Sequence, residues 1–191
     1  MRKRVLLVTE VVGGGVGRHV RDLMTSLNER GTQVRCVVPD RFGEKRSLGS
    51  VLRFAKDVTA ALRGAISLVH AHSSIAGAVV RLLRFLRLSR DAVLVYTPHC
   101  FAFTYARSPV ARRLYAIAEK KLAHLADAIV CVSRGEREIA RALGIPKHKL
   151  VVIPNGIRPP APMDEAKRQR AREVMAVPNN HIVVGAVGRL S

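Results

Sequence analysis

Short runs of β-branched and apolar residues alternate along the chain with longer stretches in which apolar positions recur every three or four residues. The runs predict strands at 5–9, 34–38, 66–70, 92–97, 128–132 and 151–153, and the stretches between them predict helices at 17–30, 51–63, 74–88, 109–126 and 135–143. Strand and helix in strict alternation define an α/β fold with a doubly wound, Rossmann-like parallel sheet. The runs VLLV, AVLVY and AIVCV carry no polar alternation, as expected for strands covered by helices on both faces. Glycine marks two helix ends, at Arg30-Gly31 and at Leu143-Gly144, the second followed by Pro146. Helix 74–88 places Ile75, Ala78, Val79, Leu82 and Leu86 on one face and Arg84 and Arg87 opposite, which predicts a sheet-packing face and a solvated basic back.

The texture changes after Pro154. Pro159, Pro160 and Pro162 read as a linker, 164–175 as a charged helix, and HIVVGAVGRLS as one more buried strand. Residues 1–158 are therefore expected to form one Rossmann-like domain. Residues 159–191 read as a linker and the truncated opening of a second domain.

Composition narrows the classes. The 191 residues are 48% apolar, which excludes a disordered basic tail. No apolar run approaches the roughly 18 residues of a membrane span, and the apolar stretch of MRKRVLLVTE meets Glu10 too soon for a signal peptide. Cys36, Cys100 and Cys131 lack disulfide or metal spacing, which fits a reducing cytoplasm. With 33 Lys and Arg against 14 Asp and Glu, the formal charge is +19, so an anionic partner is expected.

In an open parallel sheet ligands bind beyond the carboxyl ends of the strands, which selects the loops there. After the first strand, Gly13-Gly14-Gly15-Val16-Gly17 lets backbone approach a ligand and offers helix-start N–H groups to an anion, or serves the turn alone. Its spacing is not GxGxxG, since Arg18 and Val20 stand where the third glycine belongs. After the third strand, His70-Ala71-His72-Ser73-Ser74 aims two histidines the same way, for ligand contact or loop ordering. A metal is not expected, for want of a nearby acid or cysteine. After the fourth, His99 can accept a proton or hydrogen-bond a sugar, or simply cap the strand. Cys100 beside it is disfavoured as a nucleophile, because neighbours on a strand end point apart. Ser133 is read as a helix cap and Pro154-Asn155-Gly156 as a turn.

Taken in order, GGGVGRHV, LVHAHSSIAG, VYTPHCFAF, AIVCVSRGER and LVVIPNGI resemble the acceptor-side domain of family 4 glycosyltransferases, most closely the branch of bacterial capsule, exopolysaccharide and lipopolysaccharide assembly. The resemblance covers nearly the whole chain. It implies the N-terminal half of a GT-B fold and transfer of a sugar from a nucleotide-diphosphate donor with retention of configuration. No metal or other cofactor is implied. Carried over residue by residue, Gly14, Gly15, Val16 and Gly17 would approach the donor diphosphate and sugar, and His99 would contact the transferred sugar at the reaction centre. His72 and Ser73 would line the acceptor side, and Arg189 of VGRLS would contact the diphosphate, balancing the leaving group's charge. Ser67, Ile75 and Arg158 depart from residues common in the family. The family's lysine after GRL and its paired glutamates would lie beyond Ser191, so the chain is expected to be inactive without a C-terminal nucleotide-sugar domain, in the same or a separate chain.

The implied partners are a nucleotide sugar, a saccharide or lipid-linked saccharide acceptor, and an anionic membrane surface, with the protein peripheral on the inner face of the cytoplasmic membrane. Arg81, Arg84, Arg87, Arg90, Arg107, Arg112, Arg113, Lys120 and Lys121 face only Asp91 and Glu119 within 81–121, and each basic residue near such a surface contributes about 1 kcal/mol. Two other classes stay open on charge and fold: a non-enzymatic nucleic-acid binder, disfavoured by 4% aromatics and the lack of a recognition motif, and a nucleotide-dependent oxidoreductase or epimerase, disfavoured by the glycine spacing.

Overall fold

The computed structural model describes residues 3–39, 47–88, 91–157 and 161–185. It divides into two compact units, Met1–Asn155 and Gly156–Ser191. In the first, β1 (Arg4–Thr9), α1 (Gly14–Glu29), β2 (Gln33–Val37), α2 (Leu48–Leu62), β3 (Leu68–His72), α3 (Ser74–Phe85) and β4 (Val93–Thr97) are followed by α4 (Ala102–Tyr105), α5 (Pro109–Leu122), β5 (Ala128–Cys131), α6 (Arg134–Ala142) and β6 (Leu150–Val152). The six strands form one parallel sheet in the order β2-β1-β3-β4-β5-β6. This is the expected Rossmann-like architecture.

Three boundaries differ from expectation. The third strand begins two residues later and ends at His72, so both histidines belong to the strand. The short α4 has no amphipathic period in the sequence and was not expected. The fifth helix ends at Leu122, and a single 3-10 turn covers Ala123–Leu125. In the second unit, α7 (Glu165–Val174) starts on an Asp164 cap. Residues 181–185 are not in strand, contrary to the reading of HIVVG, and the rest of that predicted strand, Arg189 included, lies outside the described residues.

Alternation along the central strands sorts the core. Val5 and Leu7 of β1 pack with Val20 of α1 on one face, and Leu6 and Val8 join Phe54, Val58 and Val80 on the other. Burying each such side chain contributes about 1.5–3 kcal/mol. Leu68 shares the α1 face with them, and the two-residue period carries His70 and His72 to that side. The strand order reverses between β1 and β3, the switch point at which α/β sheets open a crevice at their carboxyl ends. Register places Thr9 beside His72, and His72 beside Thr97, along that rim.

Helix α3 is rotated from its predicted face. Ala76, Val79, Val80 and Leu83 are buried, whereas Leu82 and Leu86 are exposed. The cause is Arg81, which is fully buried. Its Nη1 donates to Glu119 of α5 at 2.9 Å, its Nε donates to the Gly77 carbonyl at 2.8 Å, and its guanidinium lies 4.0 Å over the Tyr96 ring. Tyr96 in turn donates to the second Glu119 oxygen at 3.0 Å. Gly77 is required here, because a Cβ would run into the Tyr96 ring.

Candidate functional site

At the switch point the α1 face of the sheet carries a layer of imidazoles. His72 Nδ1 and His99 Nε2 are 3.1 Å apart, and the His70 ring lies 4.0 Å from that of His72, with Nε2 2.8 Å from Thr97 Oγ1. His19 of α1 closes the group from above the sheet, its ring centre 5.6 Å from His72 and 5.0 Å from His99. Burial lowers the pKa of all four. His70 falls to about 3 through burial and then the charges of His19 and His99, and His99 to about 4 through burial and then His19. His72 is held below its ordinary value by burial and the three neighbouring rings, and His19 by burial in spite of Asp22. At neutral pH the group is therefore uncharged and offers hydrogen bonds and lone pairs.

Two buried glutamates build the loops around it. The Glu10 carboxylate accepts from Ile75 and Ala76 N–H at 3.0 Å each, occupying the N-terminus of α3, where Ser73 takes φ +75°. Glu136 of α6 accepts from Cys100 N–H at 2.7 Å and Val132 N–H at 2.6 Å, while its own N–H donates to Ser133 Oγ at 3.0 Å. Ser133 and Glu136 thus occupy the positions of a capping box. The glutamate reaches past its own helix and secures the loop in which His99 and Cys100 adopt φ +50° and +89°.

The N-terminus of α1 is different. Its first intrahelical bond runs from Gly17 N–H to the Gly13 carbonyl at 3.2 Å, which leaves the N–H groups of Gly14, Gly15 and Val16 without helical acceptors. Gly13 provides no side-chain cap and the first turn holds no acidic residue. A Cβ at Gly14 or Gly15 would meet nothing within 4 Å, whereas one at Gly17 would strike the Val12 carbonyl. Gly17 is therefore a packing requirement, and Gly14 to Val16 are open backbone. Gly15 and Val16 line a cleft of about 490 Å³ together with His99, Ser133, Glu136 and Asn155. That size suits a small ligand.

The structure brings Gly15, Val16 and His99 to one cleft. His72 is fully buried and meets that cleft through His99, and Ser73 is half-buried at the start of α3, its N–H donating to the Thr97 carbonyl at 2.8 Å. Ser133 caps α6, as expected. Cys100 is exposed and pairs with Thr104 Oγ1 at 3.1 Å. Sequence reasoning missed His19, Glu10 and Glu136. His19 stands three residues after Val16 and four before Leu23, on the apolar stripe of α1, and that position was its signal.

The six-stranded parallel sheet, with its helices on both faces, has the architecture of one Rossmann-like half of a GT-B protein. The profile of Glycosyltransferase Family 4 matches residues 13–159, and the chain belongs to that family. It is 28% identical over 167 residues to an uncharacterized 41.2 kDa protein in the cps region of Klebsiella pneumoniae, covering 80% of this chain and 46% of that one. Its fold is similar to that of Anabaena Alr3699/HepE, solved in complex with UDP (TM-score 0.62, 18% identity, 91% of this chain and 50% of that one). The same protein with UDP-glucose gives a TM-score of 0.63 at 16% identity, over 93% of this chain and 50% of that one. The chain spans about half the length of the relatives it matches.

Proposed function

We propose that this chain is the acceptor-side half of a retaining glycosyltransferase that moves a sugar from a nucleotide-diphosphate donor to a saccharide, and that it acts only with a C-terminal nucleotide-sugar domain, in the same or a separate chain. The observation that carries this reading is the convergence of Gly15 and Val16, whose N–H groups have no helical acceptor, and His99 on one cleft. The Gly15 and Val16 N–H groups, with the helix dipole behind them, favour an anion, and a diphosphate accumulates negative charge as its bond to the sugar breaks. His99, neutral and positioned by His72 and Glu136, hydrogen-bonds the transferred sugar. No metal or other cofactor is assigned to the transfer. Alr3699/HepE, whose fold is similar, has been solved with UDP and with UDP-glucose, which favours a nucleotide sugar over a nicotinamide ligand. The test is transfer or slow hydrolysis of a panel of nucleotide sugars by the protein carrying both halves. His99→Ala should lower turnover by about 10²-fold. Near-normal turnover would reduce His99 to a structural residue, and the absence of donor turnover across the panel would overturn the reading.

We infer further that the acceptor is lipid-linked, in cell-envelope polysaccharide assembly, and that the protein docks peripherally on the inner face of the cytoplasmic membrane. No helix among the described residues is long and apolar enough to cross a membrane. What supports docking is the exposed mixture on α4, α5 and the turn between them: Tyr105, Val110 and Leu114 alternate with Arg107, Arg112 and Arg113. Sedimentation with anionic but not neutral vesicles is expected, and equal binding to both would count against it.

A further inference from the structure

We propose that His19, His72 and His99 form a seat for one divalent transition-metal ion of the zinc, cobalt and nickel class, and that the ion occupies it in competition with the donor sugar. The three side chains come from three separately anchored places: helix α1, the end of β3, and the loop after β4. One ring nitrogen from each lies within 4.8 Å of the other two. A tetrahedral ion about 2.0 Å from each imidazole nitrogen sets its ligands about 3.3 Å apart. His72 Nδ1 and His99 Nε2, at 3.1 Å, already have that separation. The third ligand is His19, whose half-buried ring on α1 offers a nitrogen within 4.8 Å of the other two.

The donor set decides the class of ion. Three imidazoles without a carboxylate suit zinc, cobalt, nickel or copper and not magnesium or calcium, and they leave a fourth position for water. One feature limits the affinity. His72 Nε2 is buried and has no hydrogen-bond partner, so ligation through Nδ1 leaves an unpaired N–H where dedicated zinc sites place a second-shell acceptor. A reversible, inhibitory ion follows, and not a structural one. Competition with the donor rests on the role proposed above for His99, whereas the metal site itself does not.

The experiment is a titration of the full 191-residue chain with Co²⁺ alone at pH 7.5 and about 0.15 M salt, where long-range repulsion from the basic surface is screened. Visible absorption reports tetrahedral nitrogen ligation, and Zn²⁺ is then added as displacer. One equivalent of saturable, Zn²⁺-displaceable Co²⁺ without a thiolate charge-transfer band is expected. His19→Ala keeps a good helix former on α1 and His99→Gln keeps a polar side chain in the loop, and each should weaken binding by at least about tenfold. His148→Ala and Cys100→Ser should leave it unchanged. The site is overturned if Co²⁺ does not saturate at one equivalent, if the thiolate band appears, or if His19→Ala and His99→Gln bind as the parent does. A second arm, micromolar Zn²⁺ added to the two-domain transferase, reads the competition: inhibition relieved by excess donor is expected. Its failure alongside a positive titration overturns the competition and leaves the ion site standing.

Discussion

Glu136 on α6 accepts the backbone N–H of Cys100, 36 residues away in sequence, at 2.7 Å, and its other oxygen accepts Val132 N–H at 2.6 Å. One buried carboxylate thereby ties the end of β5 to the loop after β4 and holds His99 and Cys100 in the left-handed region. Without it, both residues would relax toward ordinary backbone geometry and carry His99 away from the cleft.

Removing that anchor should therefore cost stability and donor binding together. Each hydrogen bond to a charged group contributes about 1.5–3 kcal/mol, so Glu136→Ala should lose about 3 kcal/mol in urea unfolding. Glu136→Gln should lose less, because its amide oxygen still accepts one N–H while its NH₂ faces the other. In the two-domain enzyme Glu136→Gln should raise KM for the donor more than His99-independent changes do. A urea midpoint for Glu136→Ala equal to the parent's would show that the loop holds its own shape.

The strands and the chemistry-bearing loops are legible because both depend on local pattern. Apolar runs with β-branched residues mark strands, and glycines or histidines directly after them fall on the rim by the topology of parallel sheets. The contacts that fix the rim were not legible. Glu10 reaches Ile75 and Ala76 across more than 60 residues, and Arg81 pairs with Glu119 across 38. Periodicity assigns a charge to the solvated face of a helix and carries no information on a partner in a distant element, which is why the predicted inward face of α3 differs from the buried one. His19 failed for the opposite reason. It sits on an apolar stripe, and only the knowledge that the facing strand presents His70 and His72 gives it meaning.

Arg81 and Glu119 make a second test of buried charge. Breaking a buried pair strands one ion, at about 3–5 kcal/mol, whereas replacing both partners with apolar residues of similar volume is often neutral. Arg81→Met and Glu119→Leu should each lower stability by about that amount, and the double variant should recover most of it. Equal losses in the single and double variants would mean that the Tyr96 hydroxyl, having lost its Glu119 acceptor, outweighs the ions.

The histidine layer predicts a pH dependence with a definite sign. His99 and His70 have folded pKa values of about 4 and about 3, below the roughly 6.5 of an unfolded chain. The unfolded state therefore binds protons first as pH falls, so stability is full above pH 6.5 and declines progressively toward pH 4. One such histidine sets a ceiling of about 1.4 kcal/mol per pH unit, reduced where solvent screens a half-exposed ring. Between pH 6.5 and 5, where ordinary carboxylates remain ionised, the unfolding free energy of the parent should fall and that of His99→Gln should fall less steeply. Identical slopes would mean that His99 titrates alike in both states.

The glycines after β1 separate packing from ligand approach. Gly17→Ala places a methyl against the Val12 carbonyl, a backbone group that cannot move aside, and should destabilise the fold by about 1–3 kcal/mol of overpacking. Gly15→Ala meets nothing within 4 Å and lies in ordinary helical backbone, so its thermal midpoint should match or exceed the parent's. The same methyl stands over the open N–H groups in the cleft, where a diphosphate would need close approach. In the two-domain enzyme Gly15→Ala should therefore weaken nucleotide-sugar binding by about tenfold or more at unchanged stability, measured by calorimetric titration against a thermal melt. Loss of stability without loss of binding would assign the glycine run to the turn alone, and unchanged values of both would move the donor away from the start of α1.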